Sequence, residues 1–417
     1  MILFIIFITS CSEDRQEFTV WIGGAPQEVN FWEELIAGYN QNHEIKVTLV
    51  RQPTYSDQRR QSLIISLEAE QKNPDLFLMD VIWVNQFAES DWIEPLNKYI
   101  AQSSLSIDDF FSAIVNQVDI YNDTLYALPV FLDIGLLYYR TDLLKKYGFE
   151  KPPETWNELK NIALKIQSAE KSINNNFSGY VWQGAQYEGL VCTFLEFAAS
   201  NNGYFQINDS VFVNIPENEE ALQFMQNLIQ KYNISPRNTY TELKEEEVRR
   251  IFQRGNAMFE RNWTYARSLH NLEDSRVKGK FDIAPLPHFE GGKSAATLGG
   301  WHVGISKYSD VKEEAWDFIE YITSYEVQKK MFTTIGWNPS RKDIYSDTDL
   351  LAENPHLKTL EEIFTNSVSR PTLPYYLQIS EVIQRWANKS LAGKSGAKEA
   401  LREMQNEINI IEEIYAN

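Results

Sequence analysis

The first part of the chain alternates between two hydrophobic periods. Short apolar or alternating runs at Glu17–Ile22, 45–49 and Asp75–Asp80 are typical of strands. Between them, over 29–39 and 63–67, apolar residues recur at helical spacing. This β-α-β-α-β order predicts an α/β fold with a doubly wound parallel sheet, in which ligands bind beyond the carboxyl ends of the strands.

The residues at those strand ends are candidates for ligand binding. Gly24 and Glu28 follow the first strand, Arg59 lies near the start of the helix after the second, and Asp80 ends the third. Structural roles stay open for each side chain. Asp80 could cap a helix, the helix dipole favours Glu28, and Arg59 could form a solvated pair with its neighbour Arg60. The sequence does not decide which arginine faces a cleft.

The rest of the chain continues as a mixture of helices and strands. Thr155 and Glu158 have the spacing of a capping box at the start of a helix. The other predicted elements are a helix over 108–118, a short extended run over 131–133, a strand over 136–140, helices over 217–232 and 245–253, a strand over 257–260, a helix over 311–323 and a mostly helical region over 355–415.

Two extended segments, 125–130 and 282–287, each contain proline. Because they lie far apart in the sequence, we expect the chain to leave one lobe there and to return to it later. Such segments are suited to hinges, since few contacts break when they bend.

The stretch 296–306 contains a glycine pair, Gly299-Gly300, directly before Trp301. Glycines let a backbone approach a ligand, and tryptophan offers a flat apolar face. Val303 and Ile305 then alternate like a half-buried strand. The pattern indicates either a platform for a flat polar ring or a tight turn before a buried strand, with Trp301 in the core.

Length and charge narrow the class of protein. A chain of 417 residues is too long to fold around a single hydrophobic core, so we expect two lobes. The net charge of −19 without a basic cluster argues against nucleic acid as a partner. The chain is rich in aromatic residues, with 11 Trp, 21 Tyr and 23 Phe, as suits a protein that handles flat amphipathic ligands.

The N-terminus has the features of a secretory signal. An apolar run, Ile2–Ile8, is too short to span a bilayer and is followed by Thr9-Ser10-Cys11 and a polar segment. Ile8 to Cys11 resembles a bacterial lipobox, so we expect residues 1–11 to be a signal peptide that ends at a lipidated Cys11. The alternative is a buried N-terminal strand. The other cysteine, Cys192, lies in an apolar helical run and is predicted to be a buried small hydrophobe.

Motifs of catalysis and cofactor binding are missing from the sequence. None of the five histidines is paired at metal-ligand spacing. Gly291-Gly292-Lys293-Ser294 resembles the end of a phosphate loop, but the first glycine of that motif is replaced by Pro287. We therefore expect no catalytic residue, no metal and no cofactor. One enzymatic alternative stays open, a glycosidase or lyase that uses Asp80 and Asp133.

Several motifs together resemble the family 1 extracellular solute-binding proteins of ABC importers. They are the lipobox, the strand 75–80, Tyr126-Ala127-Leu128-Pro129, the run 137–143 (LYYRTDL) and Pro153-Glu154-Thr155-Trp156. Six further runs resemble the trehalose/maltose-binding branch of this family. They are 23–26 (GGAP), 77–81 (FLMDV), 181–184 (VWQG), 187–192 (YEGLVC), 259–263 (FERNW) and 297–301 (TLGGW).

The resemblance implies a type II periplasmic-binding-protein fold. Two α/β lobes, each a mainly parallel sheet flanked by helices, are joined by hinge crossings. It implies an N-lobe at 17–128 plus 287–322 and a C-lobe at 129–286 plus 323–417. A monomeric, lipid-anchored protein of the cell envelope, facing the periplasm or exterior, would capture a trehalose-like or maltose-like disaccharide between the lobes. It would deliver this sugar to the transmembrane subunits of an ABC permease without chemistry. A sugar-sensing receptor on the same fold is a further alternative.

The resemblance also implies individual sugar contacts. The polar ring around the disaccharide would be Glu28, Arg59, Asp80, Asp133 and Arg370. The backbone and stacking positions would be Gly299, Gly300, Trp301, Trp263 and Tyr265. Phe131 stands where the family has a tyrosine, which removes one hydroxyl from the site. Trp263 and Trp301 could instead be core residues, and Arg370 could form only a structural salt bridge. Tyr187 and Glu188 match the branch but could serve only to hold their lobe together.

Overall fold

The computed structural model describes residues 17–208, 210–365 and 367–415. The predicted signal segment 1–11 and Cys11 lie outside these residues. Every helix within them is too short or too polar to serve as a membrane span.

The strands of the described residues are β1 (Glu17–Gly23), β2 (Lys46–Gln52), β3 (Leu76–Asp80), β4 (Ile120–Tyr121), β5 (Thr124–Leu125), β6 (Leu128–Arg140), β7 (Ser178–Val181), β8 (Gln206–Ile207), β9 (Ser210–Val211), β10 (Ala257–Trp263), β11 (Phe281–Ala284), β12 (Ala296–Ile305), β13 (Asn338–Pro339) and β14 (Ser367–Val368).

The α-helices are α1 (Pro26–Asn42), α2 (Ser56–Glu68), α3 (Val84–Glu89), α4 (Asn97–Ile100), α5 (Ser112–Ile114), α6 (Thr141–Lys146), α7 (Trp156–Glu170), α8 (Glu188–Ala199), α9 (Pro216–Gln230), α10 (Glu245–Gln253), α11 (Ala266–His270), α12 (Lys312–Ile322), α13 (Tyr325–Ile335), α14 (Thr348–Glu353), α15 (His356–Thr365), α16 (Tyr376–Leu391) and α17 (Ala397–Tyr415). Shorter helical turns of 3₁₀ or π type are Ile107–Asp109, Val115–Asp119, Arg237–Tyr240 and Lys342–Ser346.

The main sheet has the strand order β2-β1-β3-β12-β6-β10-β7. Pairing is parallel at its two ends, where β1 pairs with β2 and β3, and β10 pairs with β7. In the middle, β12 pairs antiparallel with β3 and β6, and β6 pairs antiparallel with β10. The predicted β-α-β-α-β unit is therefore confirmed, and so is the α/β class.

Two hydrophobic clusters stabilise the sheet from different parts of the chain. One surrounds β1, α1 and α12 and includes Phe18, Trp32, Val303, Phe318 and Trp337. The other surrounds β6, β7 and β10 and includes Trp156, Tyr180, Phe197, Met225 and Ile383. Cys192 is buried in α8, as predicted from its apolar run. The capping box of Thr155 and Glu158 is also confirmed at the start of α7.

The helix predicted over 108–118 is confirmed only over 112–118, because the helical run begins later than predicted. The chain there forms a 3₁₀ turn at Ile107–Asp109, the three-residue α5 and a π turn at Val115–Asp119. The reason is a tertiary contact that periodicity does not contain. The backbone of Phe110 pairs in a bridge with Arg341, which interrupts the helix.

The separate elements predicted over 131–133 and 136–140 form one strand, the thirteen-residue β6. The glycine pair at 299–300 also differs from a turn before a strand, because it lies inside β12. Val303 and Ile305 do not alternate with exposed residues, since His302 and Gly304 are buried as well. β12 lies between β3 and β6 in the centre of the sheet, and nine of its ten residues are buried.

Candidate functional site

One face of the sheet centre brings together residues from four strands. Directly opposed residues of antiparallel strands project to the same face, and so do residues two apart in one strand. Asp80 of β3 lies opposite Trp301 of β12, and Gly299 of β12 lies opposite Asp133 of β6. Trp263 of β10 lies opposite the residue two beyond Asp133 in β6. The register therefore places these side chains along one surface.

This surface is the floor of a cavity of about 200 Å³. The loop before α2 and the first turns of α1, α8 and α10 form its walls. All substrate-binding residues expected from the sequence line this cavity. They are Glu28, Arg59, Asp80, Phe131, Asp133, Trp263, Tyr265, Gly299, Gly300, Trp301 and Arg370.

Arg59 is the arginine that faces the cavity. Its guanidinium lies 3.8 Å from the centre of the Trp301 ring, and Nη1 donates to the carbonyl of Gly23 at 2.9 Å. Burial lowers the pKa of Arg59 to about 10. Arg60 points elsewhere and donates to Gln86 at 2.8 Å. The choice between the two arginines that the sequence left open is settled by these contacts.

Glu28 combines a structural and a cavity-lining position. It lies in the first turn of α1, where one carboxylate oxygen accepts from the backbone N–H of Ala25 at 2.6 Å. The other oxygen accepts from the indole N–H of Trp337 at 3.1 Å. Burial raises the pKa of Glu28, while these two hydrogen bonds oppose that rise.

Asp133 is held by the residues that follow Trp263. Its Oδ1 accepts from the backbone N–H of Thr264 at 2.8 Å, from the hydroxyl of Thr264 at 2.5 Å and from the backbone N–H of Ile134 at 3.0 Å. Burial raises the pKa of Asp133 to about 7 despite these bonds. The three bonds converge on Oδ1 and fix the orientation of the carboxylate against the cavity.

Arg370 joins two carboxylates at the inner end of the cavity. Its guanidinium donates to Asp80 at 3.3 Å and to Glu188 of α8 at 3.1 Å. Glu188 also accepts from the hydroxyls of Tyr376 at 2.6 Å and of Ser380. Arg370 is 5% exposed, so this ion-paired group is almost closed to solvent. Arg370 thus has a structural salt bridge and a place in the cavity lining at the same time.

Trp263 lies against a buried ion pair. The guanidinium of Arg261 is 4.1 Å from the centre of the Trp263 ring and donates to both oxygens of Glu196, at 2.8 and 2.5 Å. A Cβ at Gly135 would lie 2.0 Å from Glu196 Oε1, so only glycine fits beside this pair. Tyr265 donates its hydroxyl to Glu246 at 3.0 Å.

The glycine pair is required by packing. A Cβ at Gly299 would lie 3.0 Å from the ring of Trp263, and one at Gly300 would lie 2.6 Å from the carbonyl oxygen of Phe131. Gly300 also has a φ of 135°, which side chains rarely adopt. The pair therefore lets the β12 backbone approach its neighbours and keeps the floor of the cavity open.

Residues 25–329 match the family model of the bacterial extracellular solute-binding proteins. The chain belongs to this family. This solute-binding protein is 38% identical over 367 residues to a probable ABC transporter-binding protein of Deinococcus radiodurans, a match that covers 87% of this chain and 86% of that protein. Its relatives are thus substrate-binding proteins of ABC transporters.

Solved structures give the same assignment. The maltose-bound MalE3 of T. maritima is 38% identical, with a TM-score of 0.88, over 95% of this chain and 99% of that one. A solute-binding protein of Thermotoga lettingae bound with alpha-D-tagatose is 28% identical, with a TM-score of 0.86, over 95% and 99% of the two chains. These matches confirm the two-lobed periplasmic-binding-protein fold.

Trp337 of this solute-binding protein also lines the cavity, although no sequence pattern predicted it. Its ring stacks on Phe131 with centres 4.1 Å apart and planes at 3°. It therefore covers one face of the Phe131 ring. Trp337 follows a left-handed glycine after α13, outside any periodic segment, so no local pattern indicates that it lies in the cavity.

The outer rim of the cavity was missed as well. Tyr55 and Lys244 line this rim. Glu245 and Glu246 line the cavity beside Tyr265 and Tyr187, the latter a lesser candidate in the sequence. Only the positions of Tyr55 and Lys244 in the chain could have indicated that they line the cavity. Tyr55 immediately precedes α2, and Lys244 immediately precedes α10.

Proposed function

We propose that this solute-binding protein captures an α-linked glucose disaccharide of the trehalose or maltose type and delivers it to an ABC permease. One observation carries the proposal. Trp263 and Trp301 line the same cavity as Asp133 and Asp80, and an arginine guanidinium lies over the ring of each tryptophan.

This set of groups matches the chemistry of a sugar. Pyranose hydroxyls are best bound by charged donors and acceptors, because charge-assisted hydrogen bonds are the stronger ones. The C–H faces of the ring are apolar and suit tryptophan faces. Arg59 and Asp133 supply a donor fork and an acceptor, while Trp263 and Trp301 supply two apolar surfaces. The mixture favours a neutral sugar with two rings over a peptide.

The relatives support a disaccharide over a monosaccharide. The protein bound to maltose is 38% identical to this chain, whereas the one bound to tagatose is 28% identical. Phe131 lacks the hydroxyl of the tyrosine expected at its position, so we expect a sugar preference that differs in detail from that of the branch.

We propose binding without catalysis. The two carboxylates that a glycosidase would use already have partners in the protein. Asp80 accepts from Arg370, and Asp133 accepts from Thr264 and Ile134. These bonds orient the two carboxylates as acceptors for sugar hydroxyls, and the relatives support binding because they are solute-binding proteins of ABC transporters.

Capture would proceed by closure of two lobes, which a ligand favours only through contacts made to both. The proposed lobes are the segments 17–128 plus 287–322 and the segments 129–286 plus 323–417. The second set includes Val327, Met331 and Trp337, which pack in the core around β1 and α1. These contacts favour counting the segment up to Trp337 with the first lobe.

The proposed partners and location follow from the family. A permease would recognise the closed, sugar-loaded form at the outer face of the membrane. The lipobox at Cys11 would anchor the chain there through lipid. The lipobox and the family placement support a location in the periplasm or on the cell exterior. We propose that the chain acts there as a monomer, without metal or cofactor.

A thermal-shift screen tests the proposal. The purified chain is heated with trehalose, maltose, sucrose, palatinose, glucose or maltotriose, and with a peptide as control. A ligand at a hundred times its dissociation constant stabilises the fold by about 2.7 kcal/mol, which is easily detected. We expect a shift with a disaccharide of the trehalose or maltose type. No shift with any sugar, or a shift with the peptide alone, would contradict the proposal.

A further inference from the structure

The rim of the cavity is formed by residues from three separate loops. Tyr55 immediately precedes α2, Tyr187 immediately precedes α8, and Lys244 immediately precedes α10. All three line the cavity. Tyr55 is 47% exposed, whereas Arg370 at the inner end is 5% exposed. This gradient of exposure identifies the tyrosine and lysine side as the mouth.

Lys244 connects the two tyrosines across the mouth. Its ammonium nitrogen lies 5.1 Å from the centre of the Tyr55 ring and 4.9 Å from the centre of the Tyr187 ring. Both distances are within the range of cation–π attraction. One lysine therefore contacts a ring from the α2 side and a ring from the α8 side.

The ring of Tyr187 packs against Gly189 in the first turn of the helix that follows it. A Cβ at Gly189 would lie 2.2 Å from the hydroxyl oxygen of Tyr187, so the ring occupies space that any other residue at 189 would fill. Tyr187 therefore meets Lys244 while it is closely packed against α8. Tyr55, in contrast, lies on an exposed loop and closes against Lys244 from the other side.

At the inner end of the cavity, the wall is formed by an arginine whose guanidinium is bonded within the protein. Arg370 is bonded there to Asp80, Glu188 and the carbonyl of Leu298. A sugar chain that extends from the floor toward the mouth would meet Lys244.

We propose that Lys244, held over the rings of Tyr55 and Tyr187, ends the ligand site and limits it to a disaccharide. This inference rests on the proposed function and adds a length-determining residue to it. A third sugar ring would have to displace the ammonium from both aromatic rings. Removal of either the charge or the exposed ring should open the site to longer chains.

Calorimetric titrations of the purified full chain test this inference. The wild type, Lys244→Met and Tyr55→Ala are each titrated with trehalose, maltose and maltotriose. Methionine keeps the apolar stem of the lysine and removes the charge. Lys389→Met is the matched control, because Lys389 lies 3.9 Å from the ring of Trp386 and does not line the cavity.

We expect the wild type and Lys389→Met to bind the better disaccharide at least about tenfold more tightly than maltotriose, a difference of about 1.4 kcal/mol. In Lys244→Met and Tyr55→Ala this ratio should fall by about fivefold or more. An unchanged ratio in both variants, or a wild type without a disaccharide preference, would overturn the inference. If the wild type binds none of these sugars while folded, the proposed function itself fails.

Discussion

The guanidinium of Arg59 lies 3.8 Å from the centre of the Trp301 ring and covers one face of it. Arg261 stands in the same relation to Trp263, at 4.1 Å. A cation over an aromatic face is attracted by the ring quadrupole and holds the ring in one orientation. The cavity therefore contains two indole surfaces whose positions are set before any ligand arrives, which lowers the entropy lost on binding.

Replacement of Trp301 should test the role of these surfaces. We expect Trp301→Ala to weaken disaccharide binding by more than about tenfold, or about 1.4 kcal/mol, because an apolar contact face is lost and Arg59 loses its support. Isothermal titration calorimetry measures the change. Trp386→Ala serves as control, since that ring lies on α16 away from the cavity. A Trp301→Ala affinity equal to that of the wild type would remove the stacking argument.

Sugar binding should depend on pH through Asp133. Burial raises the pKa of this carboxyl to about 7, so it gains its charge as the pH rises from 6 to 8. A charged carboxylate accepts stronger hydrogen bonds from hydroxyls than a protonated one. We therefore expect affinity to increase over this range in the wild type. Asp133→Asn should bind more weakly and show a flatter profile. Parallel profiles for the two proteins would exclude Asp133 as the titrating group.

The raised pKa of Asp133 also affects the stability of the fold. Stability should fall as the pH rises, whereas sugar affinity should increase. A carboxyl whose pKa is higher in the folded state binds its proton more tightly there. The stabilisation that comes from this tighter proton binding is complete below the pKa of the carboxyl in the unfolded chain. It is lost as the pH rises through about 7. We expect the Tm of the wild type, relative to that of Asp133→Asn, to be lower at pH 8 than at pH 5. A relative Tm that rises with pH would contradict the assignment.

The ion pair behind Trp263 should be important for the fold. Arg261 and Glu196 are 0% and 1% exposed and make two hydrogen bonds to each other. Removal of one partner from such a pair leaves a buried charge and lowers the free energy of unfolding by about 3–5 kcal/mol. We expect this loss for Glu196→Gln in urea unfolding.

The matched control for that experiment is Glu407→Gln, which breaks the exposed pair of Arg385 and Glu407. Exposed pairs contribute about 0–1 kcal/mol. Similar losses in the two variants would show that burial of the Arg261 pair has no special role.

Periodicity predicted the elements whose side chains pack locally. The β1 to β3 unit followed from apolar spacing alone, and the strand-end rule then indicated Glu28, Arg59 and Asp80. These residues were predictable because topology fixes where the carboxyl ends of parallel strands lie. The burial of β12 on both faces was not predictable, since the residues that cover this strand come from distant segments.

The remaining site residues depend on contacts that a single sequence does not contain. Trp337 reaches the cavity through its stacking on Phe131, and Lys244 through its position over Tyr55 and Tyr187. None of these pairs is close in the sequence. The resemblance to a family indicated Asp133 and Arg370 as sugar contacts, and a structural salt bridge stayed open as the alternative for Arg370.

The central claim is that the cavity between Trp263 and Trp301 holds one disaccharide. Isothermal titration calorimetry of the purified full chain with trehalose and maltose tests it most directly, beside the Trp263→Ala/Trp301→Ala double variant. We expect one of the sugars to bind the wild type at one site per chain, with a Kd of about 1 μM or tighter, and the double variant to lose this heat. Binding of the same strength in both proteins, or no binding of either sugar to the folded wild type, would contradict the account.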